Sequence, residues 1–377
     1  MKKTLIILLI IITQTTIAQT KELKWSQIDV VRFGDQVTYK LKHNYDVSNP
    51  DKPNQLLDGT YKIGDNYGSY AIINFKAGKV EGTWKTYNSD GNLENEGNYI
   101  HSKPKGKYTE YFNDGKVQKI TYYKNGKEHG KSITYDHDGE KKVILNYVNG
   151  KQEGKQEGPA HIYGFKKCRY VHHLKNGKPK GLWETKCRGK VVSSRFYVND
   201  KEYTEKIYFK NGQLKQITSR KEGLPNGDQK EFDIDGILLK HYIYEEGVLT
   251  TKKKFFETGK PKMVEHRNLD DEKHGAFIVY KDTGKKVTEG TYKNGHKDGV
   301  WKNYYENGEI INSTTYKNGK KTGKYTEFYK GNVKKLVGEY FKNKKVGVWK
   351  RYTILSKLEK EYTYENGKLI AEKKIID

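Results

Sequence analysis

The sequence predicts an all-β fold, an elongated antiparallel β-meander or solenoid built from tandem hairpins of about 24 residues each. Three observations predict it. One motif recurs about thirteen times between Gly59 and Asp377, most clearly as GVWKNYYENGEIINSTTYKNGKKT from Gly299 and GKYTEFYKGNVKKLVGEYFKNKKV from Gly323. Asn-Gly and Asp-Gly pairs punctuate the copies, and such pairs are the strongest short hairpin signals. Only 34% of the residues are apolar while tyrosine occurs 31 times, which disfavours a large aliphatic core. It suits a thin sheet whose rings bury one face and keep a hydroxyl wet. Helix is disfavoured, because each of the frequent glycines would cost a helix interior ~1 kcal/mol and the apolar residues alternate instead of following a helical period.

The elements follow in chain order. Residues 1–18 read as a secretory signal peptide: Lys2 and Lys3 precede the apolar run Leu5 to Ile12, and Thr16, Ile17 and Ala18 offer a small-x-small cleavage site. The run is too short to span a membrane, and no second long apolar segment follows. Export to the periplasm, the cell surface or the medium is the expectation. Residues 19–58 lack the motif. Ile28 to Phe33 and Val37 to Leu41 still alternate as strands, so the segment is expected to cap the first open edge of the array, with Asn49 to Pro53 as the linker.

Residues 59–377 form the array. Its opening position is Gly59, Gly82, Gly106, Gly130, Gly154, Gly181, Thr204, Gly227, Thr251, Gly275, Gly299, Gly323 and Gly347. The spacing is 23 or 24 except for 27 between Gly154 and Gly181, where the extra residues are assigned to KQEGPA around Gly158. Nine positions on, or eight at Gly212, a turn is expected at Gly91, Gly115, Gly139, Gly212, Gly236 and Gly308, each preceded by Asp or Asn. A second turn closes the unit at pairs such as Asn125-Gly126 and Asn318-Gly319. A type I′ conformation, with positive φ at both central residues, is expected at these pairs. The last strand is expected to end at Ile375 and Ile376.

This pattern resembles the bacterial MORN-variant repeat. The likeness rests on the G-x-W-x-x-Y-Y-x-x-G opening, best at Gly299 to Gly308, and the Y-x-x-G-K-x-x-G closing, best at Tyr316 to Gly323. It covers residues 59–377 and implies a scaffold that binds proteins or membrane surfaces. It also implies an antitoxin-type inhibitor as one alternative, since many bacterial members carry that label.

Cys168 and Cys187 flank the Asn176-Gly177 turn almost symmetrically, so they lie opposite each other or one diagonal step apart. An oxidising compartment favours a disulfide between them, two free thiols being the alternative. His161, His172 and His173 raise the question of zinc. The answer is negative, because on a strand Cys168 and His172 are about 13 Å apart and adjacent histidines face opposite ways. No cofactor or metal is expected. No nucleophile–base pair, H-E-x-x-H or G-x-S-x-G motif or phosphate-binding glycine loop stands out, so the chain is read as non-catalytic.

Two aromatic ladders remain as binding candidates: Trp84, Trp183, Trp301 and Trp349 at one repeat position, and Tyr87, Tyr304 and Tyr352 three residues on. An odd offset puts them on opposite faces. One would build the thin core and the other would be open to sugar rings or a partner protein. The formal charge of +25 would suggest nucleic acid in a cytoplasmic protein. In an exported one it points instead to a negatively charged protein, an acidic envelope polymer or a membrane surface. Many lysines, such as Lys127, Lys151, Lys178, Lys285, Lys320 and Lys368, simply follow a turn glycine and solvate it. The functional expectation is therefore an exported interaction scaffold, with a glycan- or cell-wall-binding module as the alternative.

Overall fold

A computed structural model describes residues 20–42 and 55–375; the signal-peptide and linker assignments, and Ile376, lie outside them. The described chain is nearly all strand, its one helical turn being a short 3-10 segment at Trp25–Gln27. Strands pair with their sequence neighbours in an open, mostly antiparallel meander that does not close into a barrel. The residues group into two compact units. One runs to Pro159 and takes in His173–Gly177; the other comprises Ala160–His172 and Lys178 onward.

In the first unit the N-terminal segment does two separate things. Lys21–Lys24 pairs in parallel with the first array strand, Gly59–Gly64, and so occupies its free edge. The hairpin Ile28–Phe33 with Gln36–Leu41 forms its own two-stranded sheet and contributes to a cluster with the first repeats. Ile28, Leu57, Ile63, Ile73, Phe75 and Val80 are buried there, Tyr39 packs on Phe75 at 5.1 Å between ring centroids, and Trp25 stacks on Trp84 at 6.5 Å. This is the one aliphatic core among the described residues, and it exists because the cap supplies the second layer that the array lacks.

The two turns are built differently in most repeats, the repeat from Gly181 departing with positive φ at both Arg188 and Gly189 and at neither Asp200 nor Lys201. At the closing turn the two-residue loop is type I′ as expected, with φ of +52° and +77° at Asn125 and Gly126 and +49° and +77° at Asn318 and Gly319. The turn nine residues after the opening glycine corrects the expectation: only its glycine has positive φ (+83° at Gly91), and Asp90 does not. There Gly91 N–H donates to the Asn88 carbonyl at 3.0 Å and Asn88 N–H donates to the Asn92 carbonyl, also at 3.0 Å. Asn88 Oδ1 accepts from Asp90 and Asn92 N–H. That is a three-residue loop, a type I turn followed by a left-handed glycine. Asp-Gly is compatible with both forms, and loop length decides between them.

Opening glycines such as Gly106 mark bulges, not turns. Gly106 (φ +77°) lies inside the Lys103–Tyr111 strand. On one side Gly97 pairs with Tyr108 and Asn98 with Lys105, leaving Gly106 and Lys107 unmatched; on the other, both are paired. A bulge with a left-handed glycine bends the strand and increases its twist. Two boundaries also differ from the sequence reading. KQEGPA falls within the strand Gly154–Ala160, and the extra residues make the connection over 161–167 instead. The last strand is Lys368–Lys374.

Candidate interaction surface

The tryptophan ladder is packing. Trp349 is 0% exposed, with the rings of Tyr325, Tyr340 and Tyr364 at 5.4, 5.0 and 6.0 Å. Trp301 is 5% exposed between Phe277, Tyr292 and Tyr316, and its Nε1–H donates to the Thr291 carbonyl at 3.0 Å. Trp84 packs on Tyr99 as well as Trp25. Trp183 lies between His172 at 3.9 Å and Tyr197 at 4.8 Å. Edge-to-face and offset ring pairs contribute roughly 0.5–1.5 kcal/mol each beyond area burial, and here they tie each repeat to the next.

What lets the rings meet is a glycine that the sequence reading did not single out. Gly97, Gly290 and Gly338 have extended backbone, yet a Cβ at Gly290 or Gly338 would sit 2.2 Å from Trp301 or Trp349, and at Gly97 2.4 Å from Tyr108. Each is flanked by aromatic positions on both neighbouring strands: Tyr325 pairs with Gly338 on one side, and the Trp349 ring lies over it from the other. The available signal was the recurring Gly-x-Tyr in Gly97–Tyr99, Gly290–Tyr292 and Gly338–Tyr340. It is masked where Thr121 and Thr314 take the same place.

The tyrosine ladder lies on the opposite face and is half-buried. Tyr304 donates its hydroxyl to Glu289, which also pairs with Lys286 at 2.6 Å and Lys302 at 3.9 Å. Tyr111 repeats the arrangement with Glu96 at 2.6 Å; burial, then the carboxylate, push its phenol up to about 12. Tyr87 stacks on Tyr70 at 4.7 Å, and the Tyr352 carbonyl accepts from the Tyr329 hydroxyl at 3.3 Å. Each of these rings keeps part of its surface exposed.

Glu265 carries the most buried charge described, at 6% side-chain exposure, held by Arg267 at 2.9 Å and Lys273 at 3.3 Å. Burial alone would raise its pKa; the hydrogen bonds and charges of Arg267 and Lys273 outweigh it and hold the carboxyl below its ordinary range. A depressed carboxyl stabilises the fold above its unfolded pKa, about 4.3, and that contribution is lost as pH falls through the folded value. Urea unfolding should therefore show Glu265→Gln ~1–3 kcal/mol less stable than the native chain at neutral pH, with the gap closing below about pH 4. A gap that persists undiminished in acid would contradict this.

Cys168 and Cys187 pair directly across their hairpin and are joined by a disulfide. They are buried with Val192, and Phe165 packs on them, so the bond pins the 161–167 connection to the sheet. Among the described residues no group of three or more potential ligands could hold a metal ion, and no helix is long and apolar enough to cross a membrane.

Six segments match the model of the MORN repeat variant: residues 80–101, 104–125, 128–149, 201–222, 273–294 and 297–318. Each match spans the three-residue turn of one structural unit and ends on the first residue of its closing turn, as at Asn125 and Asn318. The chain is a MORN-variant repeat protein. No curated protein matches it. Among solved structures it is similar to a chain of the TcdB2-TccC3-Cdc42 crystal structure, at 10% identity and a TM-score of 0.13 over 82% of this chain and 23% of that one. It is also similar to a chain of the Photorhabdus luminescens Tc holotoxin pore, at 10% identity and a TM-score of 0.14 over 86% and 18%. The chain thus spans less than a quarter of either, and likenesses this remote carry no functional argument.

Proposed function

We propose that the protein is an exported, non-catalytic scaffold that holds a partner protein or an envelope component on the surface of its repeat sheet. The observation that carries this reading is the repetition itself. The same strand pair recurs with the same rows of side chains, so the molecule offers long surfaces of uniform chemistry in place of one singular pocket. The MORN-variant matches support a role in protein or membrane interaction, and the N-terminal charge and hydropathy pattern supports export. Cross-linking the tagged full-length chain in its native envelope, followed by mass spectrometry, should recover a reproducible partner at sheet residues of the array. Recovery of none, together with normal envelope behaviour on deletion, would sink the proposal.

A further inference from the structure

The position two residues before the opening glycine changes character along the chain. In the nine earlier repeats it is apolar, proline, glutamine or glutamate (Val80, Pro104, Glu128 and Pro225 among them); in the next four it is Lys273, Lys297, Lys321 and Lys345. All four lysines are half-buried and lie against the ring ladder. Their Nζ atoms are 5.2 Å from the Phe277 ring, 3.9 Å from Trp301, 5.1 Å from Tyr340 and 4.4 Å from Trp349. Resting on a ring face orients an ammonium without neutralising it. Lys273 also has the Glu265 carboxylate. Among the described residues no carboxylate pairs with Lys297, Lys321 or Lys345, and burial, then the charge of Lys321, hold Lys297 below the usual lysine range. The row is short of negative charge.

Its spacing narrows the ligand. Each repeat adds two strands, so successive lysines stand roughly 10 Å apart. Phosphates on a nucleic-acid strand lie closer, at about 3.4 Å along the axis of a duplex. Binders of single strands present open rings for base stacking, whereas here the ammoniums cover the rings. A polymer with sparse, regular charge fits better. We propose that Lys297, Lys321 and Lys345 bind an acidic polysaccharide bearing one carboxylate on every second sugar, the chain running across the strands with successive carboxylates on successive lysines. This rests on the scaffold reading and specifies one ligand for it.

The test uses the full chain and hyaluronate, a polymer with one carboxylate per disaccharide, at low and high salt. The native protein should bind at low salt and release as salt screens the pairs. Lys297→Gln, Lys321→Gln and Lys345→Gln combined should weaken binding about tenfold or more. Lys105→Gln, Lys107→Gln and Lys131→Gln combined, which removes the same charge from exposed positions, should leave it within about twofold. A Lys→Arg change at the three row positions should keep it, with circular dichroism confirming the fold of each variant. Equal losses in the two glutamine variants, a folded arginine variant that fails to bind, no binding by the native chain, or equal affinity for oligothymidylate or polyglutamate would each overturn the inference. Capture of a protein partner in the envelope experiment without hyaluronate binding would overturn it and leave the scaffold reading standing.

Discussion

Trp349→Ala should cost ~3–5 kcal/mol, the range for truncating a buried tryptophan. The side chain is 0% exposed and three tyrosine rings close on it, so its removal leaves a void lined by aromatics that the extended backbone on either side cannot collapse to fill. Gly338→Val should approach the same loss from the other direction. It would drive a branched side chain into the space the indole occupies, where even a Cβ comes within 2.2 Å, and overpacking typically costs ~1–3 kcal/mol. In a repeat array such a loss is felt by the neighbouring repeats first. Chemical unfolding should therefore lose cooperativity as well as midpoint, with an early transition in the variant that the native chain lacks. An unchanged unfolding curve would mean that the ring-on-glycine contact holds nothing together.

The second large effect is expected at the disulfide. Cys168 and Cys187 are 19 residues apart, and closing a loop of that size stabilises by roughly 3 kcal/mol in the chain-entropy model. Reduction, or Cys168→Ser with Cys187→Ser, should free the 161–167 connection and weaken the hairpin Cys168–Lys175 with Gly181–Cys187. Limited proteolysis would show it directly: cleavage in 161–167 in the reduced protein and protection in the oxidised one. Equal cleavage in both forms would contradict the assignment. The longest departure from the repeat period thus coincides with the one covalent staple described.

Much of this architecture was legible in the sequence because glycine and asparagine are demanding residues. A two-residue hairpin needs positive φ twice, and Asn125-Gly126 and its equivalents advertise it. What sequence alone does not resolve is why a given glycine is there. Gly91 closes a three-residue turn, Gly106 makes a bulge, and Gly338 has ordinary extended backbone but admits a ring; all three read simply as glycine. The parallel pairing of Lys21–Lys24 was equally hidden, since Lys-Glu-Leu-Lys is too short to show a period. The offset of three between Trp301 and Tyr304 did separate the two faces. It did not tell which ladder is covered, and burial assigns Trp301 and Trp349 to the packing. The lysine row is hard to see in the sequence because it stands beside the many lysines that follow the closing turn, as Lys321 stands beside Lys320, and only the rings beneath it set it apart in space.

The nearest-neighbour character of the ring ladder is the claim on which the rest depends, and amide hydrogen exchange on Trp349→Ala beside the native chain tests it most directly. The account predicts that protection falls in the strands Lys320–Phe328 through Leu358–Glu365 and is unchanged in Lys79–Tyr87 through Val117–Lys124. Protection lost evenly over all of these strands, or kept at the native level around position 349, would contradict it.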